Sequence, residues 1–248
     1  MEKIALVTGS SRGIGRAVAT ELARQGWAVC INYREREDCA RSLAEQLTGE
    51  GCRVMAVQAD VACREQVNTM VRQVEDAFGP IALLVNNAGV AGQALFQDIT
   101  DELWHRYFSV NVDGAYHAIQ AVLPAMLHHH QGCIINTSSI CGLIGHMNTP
   151  EAYTATKGAI TLLTKSVAAR YGKDNIRCNS IHPATVDTPF VVALMADPVK
   201  KQARLNEIPL GRLTSVEDVA NAVLYLASDE ASFLNGVNLP IDGGVTCY

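Results

Sequence analysis

Charge is scarce in this sequence. Only 18% of its residues are Asp, Glu, Lys or Arg, and they form no runs of one sign. A disordered, self-repelling chain is thereby excluded. The 20 basic and 25 acidic residues leave a formal net charge of −5, with the cations scattered rather than striped. That removes the reason to expect a nucleic acid or an anionic membrane as partner. No apolar run approaches the ~18–20 residues of a membrane span. No linker rich in Pro, Gly or Ser and no repeat of fixed period divides the chain. The eight cysteines (30, 39, 52, 63, 133, 141, 178 and 247) make neither a C-x-x-C nor a zinc spacing. MEKIALVTGSS runs straight from Met1 into a strand-like stretch, with nothing resembling a signal peptide. These features lead to the expectation of reduced, mostly buried thiols in a cytoplasmic protein.

What is present is apolar and periodic. Hydrophobic residues make up 48% of the 248 positions, enough for a large buried core. Strand-like runs at 3–8, 27–32, 53–58, 81–86, 133–138, 176–181 and 237–242 alternate with helical patterns at 14–25, 38–50, 65–78, 101–128, 152–171 and 215–228. The strands are apolar throughout, as burial on both faces requires. This rhythm predicts an α/β chain: one doubly wound parallel sheet flanked by helices on both faces, spanning residues 1–248 as a single domain. The exception is 184–214, about thirty residues without a strand. An excursion of that length is usually functional.

TGSSRGIG (8–15) follows the first strand and opens the first helix. Gly9 permits a turn with positive φ, Gly13 lets a pyrophosphate approach the backbone, and Gly15 lets helix and strand pack closely. The helix N-terminus then offers free N–H groups and a positive dipole end. A glycine-rich loop without a ligand is the plainer reading of this stretch taken alone. NAD sites carry an acid at the tip of the second strand for the ribose 2′-hydroxyl. Here the tip reads Asn32-Tyr33-Arg34, and Arg12 is a second cation within the turn. Guanidinium groups suit a 2′-phosphate, so NADP(H) is favoured over NAD(H). Against this stand Glu35 and Glu37, and the possibility that both arginines are simply solvated.

EAYTATKGAI (151–160) places Tyr153 and Lys157 one helical turn apart, on one face. With TGSSRGIG, AD at 59–60, NNAG (86–89), Asn111 in SVNVDG, Ser139 in INTSSICG, NSIHPATVDTP (179–189) and IDGG (241–244), this chain resembles the short-chain dehydrogenase/reductases along nearly its whole length. The resemblance implies a Rossmann fold. It implies a catalytic set of Asn111, Ser139, Tyr153 and Lys157. It implies cofactor contacts at Gly9, Ser11, Arg12, Gly13, Ile14, Gly15, Tyr33, Arg34, Asp60, Val61, Asn87, Ala88, Gly89, Tyr153, Lys157, Pro183, Val186 and Thr188. Of two adjacent serines, 138 and 139, the pattern selects Ser139, with Gly142 three residues on. Asn111 is expected to kink its helix, as in relatives. One departure is visible: Pro183-Ala184 stands where the family has Pro-Gly, which predicts a shifted loop backbone.

A phenol titrates near ~10. An ammonium about 4 Å away at an effective dielectric near 20 is worth about 4 kcal/mol, enough for roughly three units. Lys157 is therefore expected to acidify Tyr153 into a general acid/base, and Ser139 to donate to the substrate oxygen. Cys141 and His146 are candidates for the substrate pocket. Phe190 and Leu194, with Val191, Val192 and Met195, form a candidate lid over an apolar substrate; a helix packed on the core is the structural alternative. His128-His129-His130 reads as a polar helix end rather than a chelate, because consecutive helical residues point about 100° apart, and no metal is expected. His182 is assigned a structural role.

The leading substrate class is a ketone or secondary alcohol. A 3-oxoacyl thioester, on acyl carrier protein or coenzyme A, is the alternative. Positions 130 and 174, where the family's bacterial carrier-protein enzymes have docking arginines, hold His and Asp here, with Arg170 and Lys173 nearby. A non-catalytic dinucleotide-binding scaffold is the reading from another class. Relatives usually form tetramers through two long helices and the last strand, here 101–128 with 152–171, and 215–228 with 237–242. The small residues Ala155, Gly158 and Ala159 permit such contact, so a homotetramer or homodimer is expected.

Overall fold

The computed structural model describes residues 2–92, 94–147, 149–188, 191–192 and 197–247, with the backbone alone for Lys200. Strands β1 (Ile4–Val7), β2 (Ala28–Tyr33), β3 (Val54–Gln58), β4 (Leu83–Asn86), β5 (Gly132–Thr137), β6 (Ile176–Pro183) and β7 (Asn238–Ile241) form one sheet. Its order is β3-β2-β1-β4-β5-β6-β7, and every neighbouring pair is parallel. Helices α1 (Gly13–Arg24), α2 (Glu37–Gly49), α3 (Arg64–Phe78), α4 (Asp101–Phe108), α5 (Gly114–His129), α6 (Glu151–Tyr171), α7 (Pro198–Asn206) and α8 (Val216–Ala227) complete the regular elements named here.

Strand alternation sorts the core into two layers. In β1, Ile4 and Leu6 face a layer holding Val67, Met70, Val74, Val122 and Met126 of α3 and α5. Ala5 and Val7 face the other, with Val18 and Leu22 of α1, Leu43 and Leu47 of α2, and Val219, Val223 and Leu226 of α8. Successive side chains of a strand point to opposite faces, so a fully apolar strand belongs between two helical layers. The chain reverses its winding between β1 and β4. At such a switch point the loops leaving the carboxyl ends of the two strands diverge and open a crevice.

Two departures from the periodicity bear on the site. The helical pattern over 101–128 is not one helix. Thr100 caps α4, its side chain accepting from the Leu103 N–H at 3.2 Å. A π-helical segment, Ser109–Asp113, then separates α4 from α5. Asn111 sits in that segment, 3% exposed. The excursion 184–214 contains α7, started by Pro198 in its first turn and by Asp197, whose carboxylate accepts from the Val199 N–H at 2.9 Å. Ala184 does not take a positive φ. Its N–H donates to the Ile241 carbonyl at 3.2 Å, so the departure from Pro-Gly is accommodated by joining that residue to β7. His128 and His129 end α5, and His130 closes it in the left-handed region at φ 48°.

Asn32, at the tip of β2, is buried and joins three segments. Its Oδ1 accepts from the Gly9 N–H at 3.0 Å and its Nδ2 donates to the Ala59 carbonyl at 3.0 Å. Replacing it leaves a buried N–H and a buried C=O unpartnered. Asn32→Ala is expected to lower unfolding stability by about 2–4 kcal/mol, read from the midpoint of a urea titration at unchanged slope. A midpoint within error of the parent would show that these bonds do not hold the turn.

Candidate active site

The glycine turn is built by close approach. Gly9 has φ 63°, and a Cβ there would lie 2.8 Å from the Ala88 Cα. A Cβ on Gly15 would stand 2.4 Å from Asn87 Nδ2 and 2.6 Å from the Gly9 carbonyl. Asn87 holds the turn in return, donating from Nδ2 to the Thr8 and Gly9 carbonyls at 3.0 and 3.1 Å. The loops after β1 and β4 are thus locked together, and α1 starts immediately beyond them. No side chain caps α1, and its first turn contains no acid. Its free N–H groups face the cleft with nothing from the protein to answer them.

That cleft has a volume of about 620 Å3. Of the cofactor residues expected from the sequence, Gly9, Ser11, Arg12, Gly13, Ile14, Gly15, Tyr33, Arg34, Asp60, Val61, Asn87, Ala88, Gly89 and Thr188 line it. Tyr153, Lys157, Pro183 and Val186 stand outside the lining. Pro183 ends β6 opposite Ile241, and the Val186 side chain is buried in the apolar layer, so any contact by Val186 falls to its main chain. Three residues in the lining escaped the sequence reading, Arg36, Val90 and Val110, while Asn32, Glu35 and Ala59 were named there but not as cofactor contacts. Arg36 was legible as a third arginine near the β2 tip; Val90 and Val110 carry no signal beyond being apolar. At that tip Arg34 pairs with Glu35, and with Asp60 at 3.8 Å. Arg36 pairs with Asp38 at 2.8 Å. Arg12 is exposed and makes no side-chain hydrogen bond or ion pair to the described residues. Uncapped N–H groups, glycines that keep the backbone bare and an uncommitted guanidinium form a donor set that fits a dinucleotide bearing phosphates.

Farther along the same edge of the sheet, Asn111, Ser139, Tyr153 and Lys157 converge. Asn111 Oδ1 accepts from the Val90 N–H at 2.8 Å, and its Nδ2 donates to the Val90 carbonyl at 3.0 Å and to Thr156 Oγ1 at 3.1 Å. The π segment is thereby tied to the β4 loop and to α6. A Cβ on Gly89 would lie 3.3 Å from Asn111 Oδ1 and 3.7 Å from Lys157 Nζ, which shows how near the cleft comes to both. Ser138 and Ser139 diverge. Ser138 Oγ donates to the Lys157 carbonyl at 2.9 Å and is spent on packing. Ser139 Oγ accepts from the Cys141 N–H at 3.2 Å, which leaves its own proton to donate. Gly142 makes room for this turn against α6, where a Cβ would meet the Lys157 carbonyl at 2.7 Å.

Tyr153 and Lys157 do not stand in the relation expected of them. The Lys157 ammonium donates to the Thr137 carbonyl at 2.7 Å, and its Nζ lies 5.5 Å from the centroid of the Tyr153 ring. Burial pushes the phenol's pKa up, the neighbouring Cys141 sulfur adds to the rise, and a hydrogen bond from Ser139 only partly offsets it. Burial also drives the Lys157 ammonium down, to about 8. The expected acidification by Lys157 is corrected on this point: Tyr153 is half-buried and Lys157 buried, partial loss of water raises the one and lowers the other, and the ammonium contributes no resolved offset at the phenol. Tyr107, also missed in the sequence, sets its ring edge-on to Tyr153 at 6.4 Å.

Of the substrate-pocket candidates, Cys141 is buried, its Sγ 3.4 Å from Thr149 Oγ1. His146 joins a cluster with the α7 end: Arg204 Nη1 lies 2.7 Å from His146 Nε2 and 2.6 Å from Glu207 Oε2. Phe190, Leu194 and Met195 lie outside the described residues; Val191 is half-buried and Val192 exposed.

Comparison with known proteins places this geometry. A family model described as enoyl-(acyl carrier protein) reductase matches residues 9–246. The 3-oxoacyl-[acyl-carrier-protein] reductase FabG of Staphylococcus aureus is 37% identical over 245 residues, covering 99% of this chain and 98% of that one. An L-rhamnose 1-dehydrogenase (NAD(P)(+)) of Sphingomonas sp. is 38% identical over 244 residues, covering 98% and 96%. Among solved structures, a gluconate 5-dehydrogenase from Burkholderia cenocepacia, in complex with NADP and tartrate, superposes with a TM-score of 0.94 at 35% identity, covering 100% of this chain and 97% of that one. The chain belongs to the short-chain dehydrogenase/reductase family of NAD(P)-dependent oxidoreductases.

The buried lysine has a thermodynamic signature. Its folded pKa lies below its ordinary 10.5, so the folded state binds fewer protons between about pH 8 and 10.5. The penalty of holding the charge is complete below about pH 8, amounts to about 3 kcal/mol, and fades as the pH rises toward 10.5. Comparison with Lys157→Met cancels the titration of the other buried groups. Measured by urea unfolding without added nucleotide, the stability of the parent relative to that variant is expected to rise by about 2–3 kcal/mol from pH 7 to pH 10. A pH-independent difference would show that the ammonium is not desolvated.

Proposed function

We propose that this protein exchanges hydride between NADP(H) and a small ketone or secondary alcohol, with Tyr153 as the general acid/base. The observation that carries the reading is the convergence of Ser139, Tyr153, Lys157 and Asn111 at the inner end of a cleft suited to a dinucleotide. Ser11, Gly13, Ile14 and the α1 N-terminus would hold the pyrophosphate, Asp60 and Val61 the adenine, and Lys157 the nicotinamide ribose. Pro183, Val186 and Thr188 would hold the carboxamide. When bound, the nicotinamide supplies or accepts the hydride and, oxidised, brings positive charge beside the phenol.

The protein's own part is to place and protonate. Ser139 donates to the carbonyl oxygen and stabilises negative charge as it develops there. In reduction Tyr153 gives its proton to the same oxygen; in oxidation it takes it back. A phenol kept protonated by burial is ready for the reductive direction. Lys157, close to losing its own proton at about pH 8, can replenish it. Asn111 holds the π segment against the β4 loop, so the cleft ends at a fixed distance from Lys157.

Arg12 and Arg34 support NADP(H) over NAD(H), because a 2′-phosphate answers guanidinium charge that a hydroxyl leaves unused. Glu35 lies against Arg34 and so does not present a free carboxylate of the kind NAD sites use. The ion cluster of Arg204, Glu207 and His146 beside the candidate pocket supports a polar small substrate. A 3-oxoacyl thioester is the second reading, favoured by the likeness to the staphylococcal reductase. Exposed Tyr116, Leu162, Tyr225 and Phe233, on or beside α5, α6 and α8, support assembly into a homotetramer or homodimer through those helices. The thiols, none of them paired, suit a cytoplasmic setting. None of the described helices is long and apolar enough to cross a membrane.

Tyr153→Phe is expected to lower kcat by about 10²- to 10⁴-fold while NADPH affinity, followed by nucleotide fluorescence, stays within about threefold. Turnover of the parent on a panel of ketones, sugars and thioesters is the reference. Binding in both forms with turnover in neither would establish the scaffold reading instead. Arg12→Ala and Arg34→Ala are each expected to raise KM for NADPH by about tenfold or more, with KM for NADH changed less than about threefold. Equal changes for both cofactors would overturn the assignment of NADP(H).

A further inference from the structure

Among the buried titratable side chains that the mechanism leaves unused, one stands against a residue of the site. His182, in β6, is wholly buried and sits one residue before Pro183. Its Nδ1 lies 2.8 Å from the carbonyl oxygen of Ser139, and its Nε2 lies 2.8 Å from Ser180 Oγ. A carbonyl can only accept, so Nδ1 carries a proton. Burial lowers the pKa of the imidazole, so the ring is neutral and Nε2 is an acceptor. The Ser180 hydroxyl is then within reach of Nε2 as an acceptor. Asn238 Oδ1, an acceptor, lies 2.9 Å from the same Ser180 Oγ. The fixed step is the last one, from the His182 Nδ1–H to the Ser139 carbonyl.

The receiving end matters because of what else holds Ser139. Its carbonyl accepts from the Gly142 N–H at 2.9 Å, a bond within the same short turn. Its Oγ accepts from the Cys141 N–H at 3.2 Å, which is also local. The bond from His182 is the one that ties the Ser139 main chain to another strand. β6 also carries Pro183, the start of the loop assigned to the nicotinamide. The ladder already fixes the preceding residue, since the Ser138 N–H donates to the Ile181 carbonyl at 2.9 Å; His182 extends that tie by one residue, to the serine that carries the hydroxyl. We propose that His182 is a positioning residue for the reaction: its Nδ1–H donates to the Ser139 carbonyl and holds the Ser139 hydroxyl in register with the nicotinamide loop. This inference rests on the assignment of Ser139 above.

The chemistry makes the test specific. Asparagine carries an amide N–H at the position of Nδ1 and can replace the donor; glutamine and leucine cannot do so at that position. His182→Leu and His182→Gln are expected to lose about 10- to 100-fold in kcat, the scale of a small misplacement in an oriented site, with NADPH affinity and the KM of the carbonyl substrate within about threefold. His182→Asn is expected to retain kcat within about fivefold of the parent. In a Ser139→Ala background, His182→Leu should add less than about twofold, because the hydroxyl it positions is gone. Should His182→Leu fail to fold, the contrast between Asn and Gln carries the test. Equal losses in the two backgrounds, or Asn no better than Gln, would make His182 a core residue only and overturn the inference. Full turnover by Ser139→Ala would instead refute the role of Ser139 itself, a separate failure.

Discussion

A lysine ammonium removed from water must be answered by the protein or expelled by it. Here Lys157 is answered by one backbone carbonyl, that of Thr137 at the end of β5, at 2.7 Å. Much else at the site follows from keeping that bond. Ser138 donates to the Lys157 carbonyl and Gly142 lets the β5 loop close against α6, which holds the helix where its lysine can reach the strand. Asn111 is fastened to Val90 and Thr156, which keeps the π segment over the same corner. The fold accepts a desolvated charge at a cost to stability, in return for a tightly joined corner.

Partial burial also explains the direction in which the phenol moves. In water, a nearby cation makes a phenol more acidic. In a buried site the loss of hydration acts on phenolate and ammonium alike, and both are driven toward neutrality. Under the proposed function Tyr153 would then rest as a proton donor rather than as a base. For the oxidative direction it needs added positive charge, and a pyridinium in the cleft is the natural source. One pair can then serve both directions without a change of residues.

Most of the frame was legible in the residues. Strand alternation without polar faces announced two helical layers. The glycine spacing announced a turn packed too closely for side chains, and the measured approaches at Gly9 and Gly15 bear that out in physical terms. The site was less legible where it depends on main chain. The 101–128 pattern reads as one helix because a π segment shifts the helical register without breaking the apolar spacing. Ser138 and Ser139 are chemically identical in sequence and differ only in which neighbour receives each hydroxyl. The acidity of Tyr153 was misjudged because a charge count contains no solvent, and the Thr137 carbonyl that occupies Lys157 leaves no trace in residue type. His182 reads as structural for the same reason: its partner is a backbone oxygen.

The central claim is that burial holds the Tyr153 phenol above the ordinary tyrosine range and that positive charge in the cleft releases it. Its most direct test is an ultraviolet titration of phenolate, taken as the difference between the parent and Tyr153→Phe, with and without saturating NADP⁺. The account predicts a phenol that ionises only above the usual range on its own and at least two pH units lower with the oxidised nucleotide bound. An ordinary titration in both conditions, unmoved by the nucleotide, would contradict it.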